Sequence, residues 1–204
     1  MINIAVNGVC GRMGLRIATL VAEDKDLKLV AALEMKGHQH IGKDLSSIIS
    51  RGHNDVIISE ELDSSADVLI DFTSPDSTMD RLQDCADKDI AIVTGTTGLD
   101  SEQMKQIKKA SQTIPCLFSP NMSVGVNLLF NLVESVSKIL GDEADIEIIE
   151  SHHRYKKDAP SGTALKLAET ICSATNREMD DVVIYGREGF TGERSLDRIE
   201  CIQI

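Results

Sequence analysis

Residues 2–14 have the sequence INIAVNGVCGRMG, which indicates the fold class of the first half of the chain. It begins with a short apolar run that is typical of a buried strand. Glycines follow at positions 8, 11 and 14, and apolar residues then recur at roughly helical spacing. A second apolar run, Leu27–Leu33, ends at Glu34. Strand, glycine turn, helix and strand in this order predict the opening of a βαβ unit.

The alternation of strands and helices continues after this unit. Further strands are predicted at Val68–Asp71, Ile90–Val93 and Pro115–Phe118, with helices beginning after the caps Ser74 and Asp100. Such alternation implies a mostly parallel sheet covered on both faces. The sequence therefore predicts an α/β fold class, with a Rossmann-like dinucleotide-binding domain over residues 1–123.

The second part of the chain has a different pattern. Residues 124–140 form a long, mostly apolar helix candidate, and residues 145–148 alternate polar and apolar side chains, as in a sheet with one solvated face. A helix is predicted to open at Ser161, with strands near residues 182–185 and 199–204. We predict an α+β domain for substrate binding and oligomerisation over residues 124–204. Its last strand stops without a cap or a polar tail, so we expect a C-terminally truncated domain.

Composition limits the classes of partner. The 204 residues carry 21 Lys and Arg against 33 Asp and Glu, a net charge of −12, which disfavours nucleic acid and anionic membranes. The number of cysteines is odd, five, and the sequence has no CxxC motif. Neither a disulfide framework nor a cysteine-rich zinc site is therefore expected. With no signal peptide and no apolar run of about 20 residues, we expect a cytoplasmic protein.

The glycine turn is a candidate dinucleotide site. Glycines let the backbone approach a pyrophosphate that lies on the N–H groups of a helix N-terminus, although a plain tight turn would have the same residues. The spacing is G-x-x-G-x-x-G, with Cys10 where the common G-x-G-x-x-G pattern has its second glycine. Glu34, twenty residues after Gly14, can accept hydrogen bonds from the adenosine ribose. An acidic residue there favours NAD over NADP, while the nearby Lys36 leaves use of both open.

Candidate catalytic and substrate-binding residues are concentrated at residues 152–163, HHRYKKDAPSGT. Two histidines can supply a proton donor near neutral pH, and three cations concentrate positive charge in an acidic chain. Ser161-Gly162-Thr163 at a helix N-terminus offers N–H groups and hydroxyls to a carboxylate. A solvated charged loop would explain single members better than the whole set. The adjacent His152 and His153 do not have the i, i+4 spacing of a helical zinc pair, so no metal is predicted.

Several separate motifs give the chain a family resemblance. They are G-x-x-G-R-M-G at 8–14, D-F-T at 71–73, G-T-T-G at 95–98, N-M-S-V-G-V-N at 121–127 and the cluster at 151–164. With these motifs the sequence closely resembles the 4-hydroxy-tetrahydrodipicolinate reductase (dihydrodipicolinate reductase) family over essentially its whole length. The resemblance implies NADH- or NADPH-dependent reduction of a cyclic imine dicarboxylate to tetrahydrodipicolinate in lysine and diaminopimelate synthesis. It also implies a homotetramer if the full-length chain is present.

The resemblance also implies roles for individual residues. His152 is expected to be the proton donor, with Lys156 as a second donor, and His153, Gly162 and Thr163 are expected to bind substrate carboxylates. The cofactor would contact Gly8, Val9, Cys10, Gly11, Arg12, Met13, Glu34, Gly95, Thr96, Thr97, Ser119, Pro120, Asn121 and Met122.

Two departures from the family pattern bear on these expectations. Met35 stands where many members have Arg after the ribose-binding acid, which favours NADH and leaves NADPH possible. Members usually continue beyond the position of Ile204. Three other hypotheses remain at this point: an NAD-dependent amino-acid or semialdehyde dehydrogenase, a non-catalytic NAD-binding module, and a structural oligomerisation domain.

Overall fold

The chain packs as two compact units, Met1–Ser119 and Pro120–Ile204. The structure is a computed structural model and describes residues 1–49, 55–141, 143–152, 154, 156, 159–193, 195 and 197–203. The sequence placed the domain boundary after Ser123, whereas the first unit ends at Ser119. Residues 120–123 therefore pack with the second unit.

The first unit is built on one parallel sheet. Its elements are β1 (Ile2–Asn7), α1 (Arg12–Glu23), β2 (Leu27–Leu33), β3 (Ile58–Ser59), β4 (Val68–Asp71), α2 (Pro75–Lys88), β5 (Ala91–Thr94), α3 (Ser101–Ala110) and β6 (Cys116–Phe118), with a short 3-10 helix at Leu45–Ser47. The six strands lie in the order β3-β2-β1-β4-β5-β6, and each neighbouring pair is parallel. All six carboxyl ends therefore meet at one edge, and the order reverses between β1 and β4, where doubly wound sheets bind ligands.

Both faces of this sheet are covered, as the sequence predicted. Successive side chains of a strand point to opposite faces. In β1, Ile4 and Val6 pack with Ala18 and Val21 of α1. Ala5 belongs instead to the core that contains Leu82 of α2 and Ile107 of α3. The α/β class and the Rossmann-like sheet are thus confirmed.

The second unit contains a smaller parallel sheet. Its elements are α4 (Val124–Leu140), β7 (Ile146–Glu150), α5 (Gly162–Ala174), α6 (Met179–Val182), β8 (Val183–Tyr185) and β9 (Ile199–Gln203). The strand order is β7-β9-β8, and both neighbouring pairs are parallel. Ala164, Ala168 and Ile171 of α5 pack on Ile148 of β7 and Ile199 of β9. Among the helices of the described residues, none is both long and apolar enough to cross a bilayer.

Candidate functional site

The glycine turn joins β1 to α1 at the carboxyl edge of the large sheet. Gly8 has φ +67, a left-handed conformation that glycine adopts without strain. Gly11 donates its backbone N–H to the Gly8 carbonyl at 2.9 Å and is the N-cap of α1. None of the described side chains caps α1, and its first turn has no acidic residue. The N–H groups at this helix start therefore suit an anion such as a pyrophosphate.

Gly14 provides the close packing that the turn needs. A Cβ at this position would lie 2.1 Å from the Gly8 carbonyl oxygen and 2.7 Å from the Cα of Val9. Val9 is fully buried and donates its N–H to the Leu33 carbonyl at 3.1 Å. Arg12 and Met13, which follow the turn, are exposed at the start of α1. The turn is thus fixed to α1 on one side and to β2 on the other.

Glu34 lies beside the turn, directly after β2. It is buried, and its Oε1 accepts the backbone N–H of Cys10 at 2.8 Å, while its Oε2 accepts the N–H of Met35 at 3.1 Å. Burial, followed by the charge and hydrogen bonding of Glu34, raises the pKa of the Cys10 thiol to about 11. The predicted turn residues and the predicted ribose acid are therefore one connected group.

The second predicted group in this unit follows β5 and β6. The N–H of Gly95 bonds to the Asp71 carbonyl at 3.0 Å, and the N–H of Ser119 bonds to the Thr94 carbonyl at 3.2 Å. Thr97 is exposed, whereas Thr96 is buried with its hydroxyl turned into the protein. Gly95, Thr97 and Ser119 therefore lie at the same sheet edge as the glycine turn.

Asp71 organises this edge, and the sequence did not assign it a role. Its carboxylate is completely buried. It accepts hydrogen bonds from Asn7 Nδ2 at 2.7 Å and from the hydroxyls of Thr73 at 2.7 Å, Thr78 at 2.5 Å, Thr96 at 3.0 Å and Thr94 at 3.1 Å. These donors come from β1, β5, α2 and the segments after β4 and β5. One carboxylate therefore fixes the segments around the point where the strand order reverses, between β1 and β4. A buried charge is stabilised by such a full set of donors.

In the second unit, the start of α5 is the predicted carboxylate site. Ser161 is its N-cap and accepts the N–H of Ala164 at 3.1 Å. Gly162 and Thr163 form the first helical turn and are half-buried. Asn121 donates its side-chain amide to the Thr163 hydroxyl at 3.1 Å. A residue predicted for the cofactor and one predicted for the substrate are therefore neighbours in this unit.

The remaining predicted residues are placed as follows. Pro120 is half-buried and Met122 is exposed, both just before α4. Lys156 is half-buried in the segment between β7 and α5. His153 lies outside the residues that the structure describes.

Glu150 connects His152 to the start of α5 and is the second residue that sequence reasoning missed. Its Oε1 accepts the Ser161 N–H at 2.7 Å, and its Oε2 accepts the Ser161 hydroxyl. The same Oε2 lies 3.6 Å from Nδ1 of His152. The Glu150 side chain is 10% exposed, whereas the His152 side chain is 33% exposed. A largely buried carboxylate thus bonds to the N-cap of α5 and lies close to a more accessible imidazole.

Comparison with known proteins identifies the family of both halves. The family model for the dihydrodipicolinate reductase N-terminus matches residues 2–122, and the model for its C-terminus matches residues 125–202. The 4-hydroxy-tetrahydrodipicolinate reductase of Syntrophus aciditrophicus is 43% identical over 98% of this chain and 75% of its own length. That of Nitrosomonas europaea is 46% identical over 97% of this chain and 75% of its own length.

A solved structure agrees with these relatives. The dihydrodipicolinate reductase of Paenisporosarcina sp. TG-14, solved with dipicolinate bound, superimposes with a TM-score of 0.68 at 26% identity. The match covers 100% of this chain and 79% of that one. The chain belongs to the dihydrodipicolinate reductase family.

Proposed function

We propose that the protein reduces 4-hydroxy-tetrahydrodipicolinate, after loss of water, to tetrahydrodipicolinate with a nicotinamide cofactor, as a step of lysine and diaminopimelate synthesis. The main observation behind the proposal is that Glu150 bonds to Ser161 at the start of α5 and lies 3.6 Å from Nδ1 of His152. A dicarboxylate whose ring must take up a proton needs a carboxylate-binding helix start and a proton donor side by side. The relative solved with dipicolinate, which is likewise a dicarboxylate on a six-membered nitrogen ring, supports this substrate class.

The first unit supplies the residues that hold the cofactor. A bound nicotinamide cofactor would supply the hydride. The turn from Gly8 to Met13, with the uncapped start of α1, fits the pyrophosphate because backbone N–H groups and the helix dipole favour an anion there. Glu34 fits the ribose, and Gly95, Thr96, Thr97 and Ser119 are assigned to the nicotinamide pocket. Thr96 would contact the nicotinamide through its backbone, because its hydroxyl bonds to Asp71.

The second unit supplies the residues that hold the substrate, together with Pro120, Asn121 and Met122 for the cofactor. Gly162 and Thr163 present N–H groups at the start of α5, which suits a carboxylate, and His153 is assigned to the same role. The hydrogen bond between Asn121 and Thr163 fixes the hydroxyl of Thr163. A carboxylate at this position is oriented by fixed dipoles that need no rearrangement during the reaction.

His152 is assigned as the acid of the reaction and Lys156 as a second donor. Addition of a hydride to the conjugated ring leaves electron density that a positioned acid must protonate. The Glu150 carboxylate lies 3.6 Å from Nδ1 and is the charged group beside the imidazole. His152 remains partly accessible, so solvent can return the proton that it loses.

NADH is the proposed cofactor, with NADPH as a weaker alternative. The Glu34 carboxylate is fixed by the Cys10 N–H at 2.8 Å, and it would repel a 2′-phosphate at the ribose. Met35 is 70% exposed and adds no cation to offset that repulsion. Replacing Glu34 with Ala is expected to weaken NADH binding; equal NADH affinity in both proteins would remove the ribose contact from the account.

A cytoplasmic homotetramer is the proposed working form. All five cysteines are free thiols, and free thiols favour a reducing compartment. In the second unit, α4 exposes a row of apolar side chains that a further chain could cover, among them Val124, Leu128, Leu132 and Ile139. Sedimentation is expected to give four chains per particle, and a monomer at micromolar concentration would contradict this.

The proposal is tested by following nicotinamide absorbance with freshly generated 4-hydroxy-tetrahydrodipicolinate. Oxidation of NADH that requires this substrate is expected, at a kcat/KM above that for NADPH. Cofactor binding without substrate-dependent oxidation would indicate a non-catalytic NAD-binding protein and contradict the proposal.

A further inference from the structure

Cys10, Glu34 and His38 bring three metal-ligating atoms together beside the glycine turn. One thiol sulfur, one carboxylate oxygen and one imidazole nitrogen lie within 4.8 Å of one another. Cys10 and His38 are half-buried, and Glu34 is buried. Among the described residues this is the one group of three or more His, Cys, Asp or Glu with such a geometry.

The fold, rather than spacing along the chain, creates this group. The register of β1 and β2 places Asn7 opposite Leu33, so the residues after each strand are neighbours. The backbone of Cys10 bonds to the Glu34 carboxylate across 24 residues of sequence. His38 is held by a turn in which its N–H bonds to the Met35 carbonyl at 3.1 Å. Sequence reasoning looked for ligands close together in the chain and therefore expected no metal.

The donor types fit one class of cation. Zinc binds sulfur at about 2.3 Å and nitrogen or oxygen at about 2.0–2.2 Å, so tetrahedral ligands lie roughly 3.3–3.8 Å apart. The three atoms are at most 4.8 Å apart, so side-chain rotations that shift them by about 1 Å would bring them to that spacing. Magnesium and calcium prefer sets of oxygen ligands, which this group does not provide. Sulfur and nitrogen in the set select a softer cation.

We propose that Cys10, Glu34 and His38 form an inhibitory binding site for a zinc-type divalent cation. Three protein ligands leave the fourth tetrahedral position for water. The Cys10 sulfur binds as the thiolate, and its proton is released to solvent as the metal–sulfur bond forms. The two anionic ligands balance the charge of the cation. The N–H bonds to Glu34 from Cys10 and Met35 orient that carboxylate, as outer contacts do in metal sites.

Metal and dinucleotide exclude each other at this site. This consequence rests on the proposed function, because it takes Glu34 as the ligand of the adenosine ribose. The Glu34 oxygen that coordinates a cation cannot also accept a hydrogen bond from a ribose hydroxyl. Zinc therefore raises the apparent KM for NADH and leaves kcat at saturating NADH unchanged.

The site is tested first by direct binding, without turnover. The full chain is titrated with Co²⁺ as a spectroscopic probe for zinc, and the thiolate-to-cobalt absorption band is recorded. Cys10→Ser is expected to abolish the band, and His38→Gln is expected to weaken binding about tenfold or more. Cys116→Ser and His40→Gln are the matched controls, since they replace a half-buried cysteine and a neighbouring histidine outside the group; both are expected to keep wild-type binding. Absence of the band in the wild-type protein, or equal binding in His38→Gln, overturns the proposal.

A second titration tests the competition between metal and NADH separately from metal binding. NADH is added to the cobalt-loaded protein, and the band is expected to disappear as the dinucleotide displaces the metal. Without metal, His38→Gln is expected to bind NADH within about twofold of wild type, since His38 is not among the cofactor contacts. A band that persists at saturating NADH overturns competition and the ribose role of Glu34, while the binding site itself stands on the first titration.

Discussion

Replacement of Gly14 with Ala tests how the glycine turn is built. The new Cβ would lie 2.1 Å from the Gly8 carbonyl oxygen and 2.7 Å from the Cα of Val9, whereas ordinary contact begins near 3.4 Å. Both obstacles are backbone atoms, so no side chain can move aside. Overpacking of this kind costs about 1–3 kcal/mol, and alanine in a helix returns at most about 1 kcal/mol. A 2.1 Å approach to backbone places the overpacking cost at the upper end, about 3 kcal/mol, so we expect a net loss of about 2 kcal/mol from the stability of the first unit.

Gly11→Ala is the matched control. Its Cβ would lie 3.2 Å from the Gly8 carbonyl oxygen, and Gly11 has φ −75 and ψ 165, which alanine adopts readily. The free energy of unfolding should fall by less than about 1 kcal/mol. A methyl group here would nevertheless stand where the pyrophosphate approaches the backbone, so NADH affinity should fall about tenfold or more.

Hydrogen exchange of the amides in β1 and α1 measures the stability of this unit by itself, and fluorescence titration measures NADH affinity. The expected pattern is a large loss of protection for Gly14→Ala and a loss of affinity with near-normal protection for Gly11→Ala. Unchanged protection in Gly14→Ala would refute the close packing. Unchanged NADH affinity in Gly11→Ala would refute the pyrophosphate contact.

The other predictions concern four further side chains. His152→Gln should lower turnover about 10²-fold or more in steady-state assays while NADH affinity is retained; unchanged turnover would remove it as the acid. Glu150→Ala should lower kcat/KM about tenfold or more, because Ser161 loses its acceptor and His152 its neighbour; wild-type kcat/KM would contradict this positioning role. Asp71→Ala should cost about 3 kcal/mol or more in urea unfolding, since buried donors lose their acceptor, and a loss below about 1 kcal/mol would show that they find other partners. Burial raises the pKa of the Cys85 thiol to about 12, so a thiol reagent should label it only after unfolding, and rapid labelling of the native protein would argue against that burial.

Elements with strong local patterns were predicted well from the sequence. The helix expected over residues 124–140 is α4, Val124–Leu140, and the strand expected over residues 27–33 is β2. Asp100 caps α3 with a full capping box, as a short-range signal should allow. In these segments, the hydrophobic periodicity, the capping residue and the element length can all be read from the local sequence alone.

Features that depend on partners distant in sequence were missed. The two residues of β3 form a strand only because Ile58 pairs with Ala32 of β2. Glu150 and Ser161 are 11 residues apart, and nothing in their sequence context indicates that one holds the other. The glycine turn and the cluster at 152–163 were found because each is local, whereas the roles of the Asp71 and Glu150 carboxylates became evident only in the folded chain.

The most direct test of the central claim follows the hydride into the product. The enzyme is incubated with freshly generated 4-hydroxy-tetrahydrodipicolinate and NADH that carries deuterium at the transferred position, and the product is analysed by mass spectrometry. We expect tetrahydrodipicolinate with one deuterium per molecule, formed about 10²-fold more slowly by His152→Gln. NADH oxidation without deuterium in the product, or product formed equally fast without His152, would contradict it.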